Sequence, residues 1–302
     1  MKKCIEQKIL PRYNKLSQKI KGDFVMSEQW NGFRLREDEG YNYFMPVSLL
    51  PPGKDGRDAL VGAHYGENKR ICITYKTDRD AVAKLLPPGF HPTDPCTISV
   101  CFAECRDIDY LAGGGYNLVC VDASVYFQGE VDYAEGSLPL VLWMDKFYPI
   151  LLGRELLGAP KLMAEIPDAK TIVGSGKSRF YAADDGNRLV EGAIWDLEEM
   201  TREEITEWEK AGEGKSWMCY KHFPAIDLDG HDCSYATWCP TTNVTHRAWK
   251  GKGEVHFNPV EWERSPLSGP CSTILSQLPV LEVVSAMKWI ESAIYEPNKR
   301  LR

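Results

Sequence analysis

Gly153-Arg154-Glu155-Leu156-Leu157-Gly158-Ala159-Pro160-Lys161-Leu162-Met163 sets one lysine, Lys161, directly after a proline in an otherwise apolar run. In water an ammonium group is a poor nucleophile, because its pKa lies far above neutral pH. Burial penalises the charged form, so a desolvated lysine can be a neutral amine near pH 7. That shift is about 3 units, roughly 4 kcal/mol, which burial of a single group can supply. A neutral amine condenses with ketones to an iminium, an electron sink for carbon–carbon cleavage without metal or organic cofactor. The competing reading is a snorkelling lysine, its stem on an apolar surface and its ammonium in water.

The text around this stretch bounds the alternatives. The 302 residues suffice for one large domain or two small ones, and 43% hydrophobic with 26% charged residues suits a soluble globular chain. A net charge of −7 argues against a nucleic-acid groove, which needs clustered cations. No apolar run reaches the roughly 18–20 residues of a membrane span. Met1–Lys21 is lysine-rich, has Arg12 as its one arginine and lacks a continuous apolar segment, so it reads as neither secretory signal nor transit peptide. Ten scattered cysteines, among them Cys72, Cys96, Cys101, Cys105 and Cys120 in strand-like text, fit unpaired thiols in a reducing cytoplasm. Cys219, His222, His231, Cys233 and Cys239 lie close together, but their spacings match no standard finger or ribbon, and no metal is expected.

From Arg70 onward, β-branched and aromatic runs predict strands at Ile71–Tyr75, Thr97–Cys105, Leu118–Phe127, Leu138–Trp143, Arg179–Ala183, Leu189–Asp196, Ser216–His222 and Glu254–Phe257. Two capping boxes predict short helices, one opening at Thr77 and stopping before Pro87, the other opening at Thr201 and stopping at Gly212. The fold class is α+β, mainly β: a large antiparallel sheet rolled towards a cone-like barrel, with a few peripheral helices. Residues 1–58 read as an N-terminal extension with an amphipathic helix near Glu6–Ile20 and a Pro/Gly loop over Leu50–Gly56. Residues 59–302 read as the barrel domain. Gly113-Gly114-Gly115 is a turn or substrate-side loop, since no helix or lysine-serine pair follows it.

Gly-Arg-Glu-Leu followed by Pro-Lys resembles the signature of the acetoacetate decarboxylase-like superfamily. Three further anchors follow the same order: Tyr75-Lys76-Thr77-Asp78 leading to Pro87, Val244-Thr245-His246-Arg247-Ala248-Trp249-Lys250-Gly251 as a late hairpin, and Leu278-Pro279-Val280-Leu281-Glu282 opening a C-terminal strand. The resemblance implies a cone-like barrel, Lys161 as Schiff-base nucleophile, no cofactor, a small keto-acid substrate and a cytoplasmic homo-oligomer without nucleic-acid or membrane partners. It also shows departures. Leu162 stands where a second lysine is usual, so desolvation must activate Lys161. Val100 and Leu118 fall at the positions of two glutamates, and Asn68, next to Lys69 and Arg70, at that of an arginine.

Glu104, four residues past Val100, is the nearest same-face carboxylate and the candidate acid. Arg154 matches the motif, and Tyr116 marks the strand carrying Leu118. With Val100 and Leu162, these residues are the expected substrate-binding set. Three readings follow. The first is decarboxylation of a β-keto acid through a Lys161 iminium. The second, favoured by the missing glutamates, is an aldolase-dehydratase or dehydrating cyclase acting on pyruvate-like 2-oxo acids. The third is non-catalytic keto-acid binding, which the retained lysine argues against.

Overall fold

The computed structural model describes residues 63–302 and, upstream, two short antiparallel strands, β1 (Tyr41–Asn42) and β2 (Gly53–Lys54). The helix expected near Glu6–Ile20, the rest of the Leu50–Gly56 loop and the boundary at residues 58/59 lie outside the described residues. The chain continues through β3 (His64–Lys76), α1 (Arg79–Ala83), β4 (Phe90–Pro92), β5 (Thr97–Ile108), β6 (Gly114–Gln128) and β7 (Tyr133–Met144). Next come α2 (Phe147–Leu152), β8 (Lys161–Met163), β9 (Lys170–Thr171), β10 (Ser178–Asp184), β11 (Asn187–Glu199) and α3 (Arg202–Ala211). The last part holds β12 (Ser216–Pro224), β13 (His231–Cys239), β14 (Thr241–Phe257), α4 (Ser268–Ser276), β15 (Glu282–Tyr295) and β16 (Lys299–Arg300).

Strands β3 to β16 form one sheet of fourteen strands in the order β16-β13-β12-β7-β6-β5-β3-β15-β14-β11-β10-β9, with β4 beside β6 and β8 beside β7. Only the pairings of β7 with β8 and with β12 are parallel. The mainly-β fold with peripheral helices is therefore present. The sheet curls far enough for Phe180 of β10 to stack on Phe102 of β5, with centroids 5.3 Å apart. Its hydrogen-bonded ladder stays open between β16 and β9, so side-chain packing holds the curl.

All eight strand-like runs fall inside strands, and the Thr201 capping box opens α3 as read. Three local readings are corrected. The first helix is capped by Asp78, whose carboxylate accepts from Ala81 N at 2.7 Å, and not by Thr77. Val244–Gly251 is the interior of the single strand β14, not a hairpin: a register shift between Thr245 and Arg247 absorbs the irregularity. The Leu278–Leu281 text precedes its strand, which begins at Glu282.

The two faces of the central strands differ. Side chains alternate along a strand, and directly opposed residues share a face. One face carries Ile71, Ile73 and Tyr75 of β3, Val100 and Phe102 of β5, Val119 and Val121 of β6, and Val141 and Trp143 of β7, all within the main apolar core. The other carries a transverse row in which Met287, Cys72, Cys101, Cys120, Leu142 and Lys161 are each opposed to the next. The row beside it is Trp289, Arg70, Ala103, Leu118, Met144 and Met163.

Candidate active site

The stretch from Gly153 to Lys161 builds the site by backbone geometry. Gly153–Leu157 is one π-helical turn continuing α2, a wider winding that is frequent at functional sites. Gly158 ends it at φ +76°, in the left-handed region that suits glycine, and its α-carbon presses on the Lys221 backbone, where a Cβ would come within 2.4 Å. Ala159 N then bonds back to Gly153 O at 3.1 Å. The chain enters β8 with Leu142 N bonded to Pro160 O at 3.0 Å and Arg154 Nη1 bonded to Lys161 O at 3.1 Å. Gly153 has ordinary helical angles, φ −67° and ψ −37°. Its role is steric: a Cβ there would lie 2.4 Å from Lys161 Nζ.

Lys161 is 7% exposed, and Nζ donates to Pro149 O at 3.0 Å. Burial lowers its pKa from 10.5 to about 8. The neighbours that act on it next are Cys219, Cys120, Cys105 and Cys239. Burial pushes the Cys105 thiol up to about 12, and those of Cys120 and Cys219 well above the usual thiol value. At neutral pH these three are uncharged; the Cys239 thiol is lowered, and burial remains the largest influence on Lys161.

Beyond Cys105 lies a tyrosine cluster. Tyr65 shares hydrogen bonds with Tyr110 and Tyr116, each at 3.0 Å between hydroxyls, and its ring packs at 5.5 Å on that of Tyr295. Burial raises all four phenols, so they act as neutral hydrogen-bonding groups.

The structure divides the expected site residues. Tyr116 and Leu118 share the Lys161 face, and both belong to the apolar cluster that holds Cys105, Cys120 and Leu142. Val100, Leu162 and Glu104 lie on the opposite face. Val100 is inside the main core and Leu162 packs against it. Glu104 Oε1 accepts from Ala169 N at 2.9 Å, and its strand partner Asn117 bonds Asp168 and Arg106. Glu104 therefore fastens the 166–169 loop and does not meet Lys161. The same-face inference from Val100 to Glu104 was sound, but Val100 itself faces the core, and a one-residue offset reverses every side chain on a strand. The exposed Arg154 holds the Lys161 carbonyl, which makes it a positioning residue.

Two acidic groups on the Lys161 face had not been singled out. Glu291, 4% exposed, pairs with Arg70 Nε at 2.6 Å and accepts from Trp289 Nε1 at 2.8 Å. Asp122 accepts from Trp217 Nε1 at 2.7 Å, and burial raises its carboxyl. The signal in the text was a lone acid inside an apolar strand, as in Trp289-Ile290-Glu291 and Val121-Asp122-Ala123. Among the described residues no three His, Cys, Asp or Glu side chains group as a metal site. Cys219 and Cys239 point inward, while His222 and His231 lie against each other, exposed, on the β12–β13 hairpin. No described helix is long and apolar enough to cross a membrane.

Residues 45–298 match the family model described as acetoacetate decarboxylase (ADC). The acetoacetate decarboxylase of Burkholderia multivorans is 27% identical over 228 residues, 74% of this chain and 81% of that protein. A crystal structure of acetoacetate decarboxylase from Legionella pneumophila superposes with a TM-score of 0.66 at 18% identity, covering 94% of this chain and 95% of that one. The enduracididine biosynthesis enzyme MppR complexed with pyruvate gives 0.63 at 17% identity, covering 84% and 96%. Joined to the Lys161 geometry, the match over most of the chain places the protein: it belongs to the acetoacetate decarboxylase family.

Proposed function

We propose that the protein is a cofactor-independent Schiff-base lyase that decarboxylates a β-keto acid at Lys161. The observation that carries this reading is the buried Lys161 amine, lowered to about 8 and bonded to the Pro149 carbonyl, in a Gly-Arg-Glu-Leu…Pro-Lys motif that resembles the family's lysine signature. The neutral amine adds to the substrate ketone, and loss of water gives the iminium. The bond between the α-carbon and the carboxylate then breaks, CO2 leaves, and its electron pair forms the enamine. Protonation at carbon restores the iminium, and water releases the ketone and the amine. Apolar surroundings from Leu142, Leu118 and Met144 favour the step that replaces a carboxylate by neutral CO2.

A second reading keeps Lys161 and changes the substrate to a pyruvate-like 2-oxo acid. The observation favouring it is the absence of Glu104 from the Lys161 face, together with the likeness to MppR, which was solved with pyruvate.

Borohydride reduction with acetoacetate or pyruvate, followed by peptide mapping, tests both. The expected adduct is on Lys161, is absent from Lys161→Arg, and forms faster as the pH rises through about 8, because the amine is neutral above its pKa. An adduct on another lysine, or none with either acid, overturns the proposal. Release of CO2 from acetoacetate decides between the two substrates.

A further inference from the structure

At the β9 edge of the sheet, residues of β9, β10, β11 and β14 line a cleft of about 500 Å³, within the size range of small-ligand sites. None of its lining residues belongs to the apolar clusters around Lys161. Two rows of side chains share its face. Lys170, Arg179, Ala193 and Glu254 are each opposed to the next, and beside them run Tyr181, Glu191 and His256. Arg179 and Lys170 are exposed and directly opposed across the β9–β10 ladder, where like charges repel. Neither side chain has an ion pair or hydrogen bond among the described residues. The acids of the cleft are engaged elsewhere: Asp168 pairs with Arg106 at 2.6 Å, Glu254 with Lys177 at 2.7 Å and Glu191 with Arg188 at 3.1 Å. The Arg188 guanidinium also lies over the Tyr181 ring, 3.9 Å from its centroid, and bonds Glu191 through Nη1 alone.

We propose that this cleft binds a small, multiply charged anion, a phosphate or polycarboxylate compound, between Arg179 and Lys170. A carboxylate or phosphoryl group accepts two parallel N–H bonds from a guanidinium, and an ammonium adds a point charge. One such group set between Arg179 and Lys170 turns their repulsion into two attractions. The cleft leaves room for more than one anionic group. The unused donors of Arg188 and the exposed His256 ring offer the second group its contacts. Glu191 and Glu254 on the same face repel acid that extends past the two cations, which restricts the ligand to a compact anion.

Isothermal titration of the full chain with sodium pyrophosphate and, separately, with citrate tests the proposal and distinguishes a phosphate from a carboxylate ligand. One saturable site is expected with at least one probe. Arg179→Gln and Lys170→Gln should each weaken it about tenfold or more, and added salt should weaken it further. Lys84→Gln, which removes an exposed charge outside the cleft, should bind as wild type, and so should Lys161→Arg. No saturable heat with either probe overturns the proposal. So does an equal loss in Lys84→Gln, which would mean diffuse attraction by surface charge, or a loss confined to Lys161→Arg, which would put the anion at the reactive lysine. Thermal unfolding of each variant without probe separates a loss of binding from a loss of fold.

Discussion

The two faces of β3, β5, β6 and β7 are built from alternate residues of the same strands, yet they do different work. One face is closed mainly by hydrocarbon: Ile73, Val100, Phe102, Val121 and Trp143 belong to the main core, Phe180 stacks on Phe102, Trp143 Nε1 donates to Ser268 Oγ, and the buried Tyr75 hydroxyl has no hydrogen-bond partner. The other buries an amine, thiols, phenols and the Arg70–Glu291 ion pair, and most of these polar groups have a named partner. Close packing of the first face stiffens the strands, and that rigidity holds the second face's groups in register. The comparison teaches that one sheet can serve as core and as reactive surface without a loop between them.

The largest expected effect breaks the first face alone. Phe102→Ala should cost about 3–5 kcal/mol in denaturant unfolding and leave the pH midpoint of Lys161 trapping near 8. A displaced midpoint would show that the two faces are not independent.

Lys161→Met probes the second face through stability. Lys161 falls from 10.5 to about 8 on folding. Below about pH 8 both the folded and the unfolded chain carry the proton, so the folded chain bears the full cost of a buried charge. Between about 8 and 10.5 the unfolded chain still holds the proton while the folded chain has lost it, and wild-type stability rises with pH. The methionine variant should therefore be more stable at pH 7 by up to about 3 kcal/mol, and the advantage should fade between pH 8 and 10.5. Equal stability at pH 7 would contradict the desolvated amine.

Gly153→Ala is milder for the fold and sharper for the chemistry. The backbone there tolerates alanine, but the new methyl carbon would occupy the space of Nζ. Borohydride trapping should slow by about 100-fold while unfolding changes little, as expected for a nucleophile moved by about 1 Å. Normal trapping kinetics would mean that Lys161 works from another rotamer.

The smallest effect belongs to Glu104→Gln. The carboxylate bonds Ala169 N on the core side, so turnover and trapping should stay within about twofold of wild type. A loss of two orders of magnitude would restore Glu104 as an acid and require the loop to rearrange.

Lys161 was legible because its motif is local: glycine, proline and lysine act within nine residues of one another. The strands were legible because β-branched and aromatic runs mark them wherever they pair. The polar shell was not legible in the same way. Glu291 meets Arg70 across 221 residues, and Trp217 meets Asp122 across 95. Val100, Leu162 and Glu104 were misplaced because a gapless count along a strand cannot say which parity faces inward.

The sequence by itself determined a mainly-β chain with one lysine after a proline, and the capping box at Thr201 that starts one of its helices. These follow from bond rotation, steric bulk and hydrogen bonds within a few residues. Only the tertiary structure decided which sheet face Lys161 shares, which thiols oppose one another, and that Pro149 O accepts a hydrogen bond from Nζ. Those outcomes depend on strand register and sheet curl, set by the packing of all the strands at once.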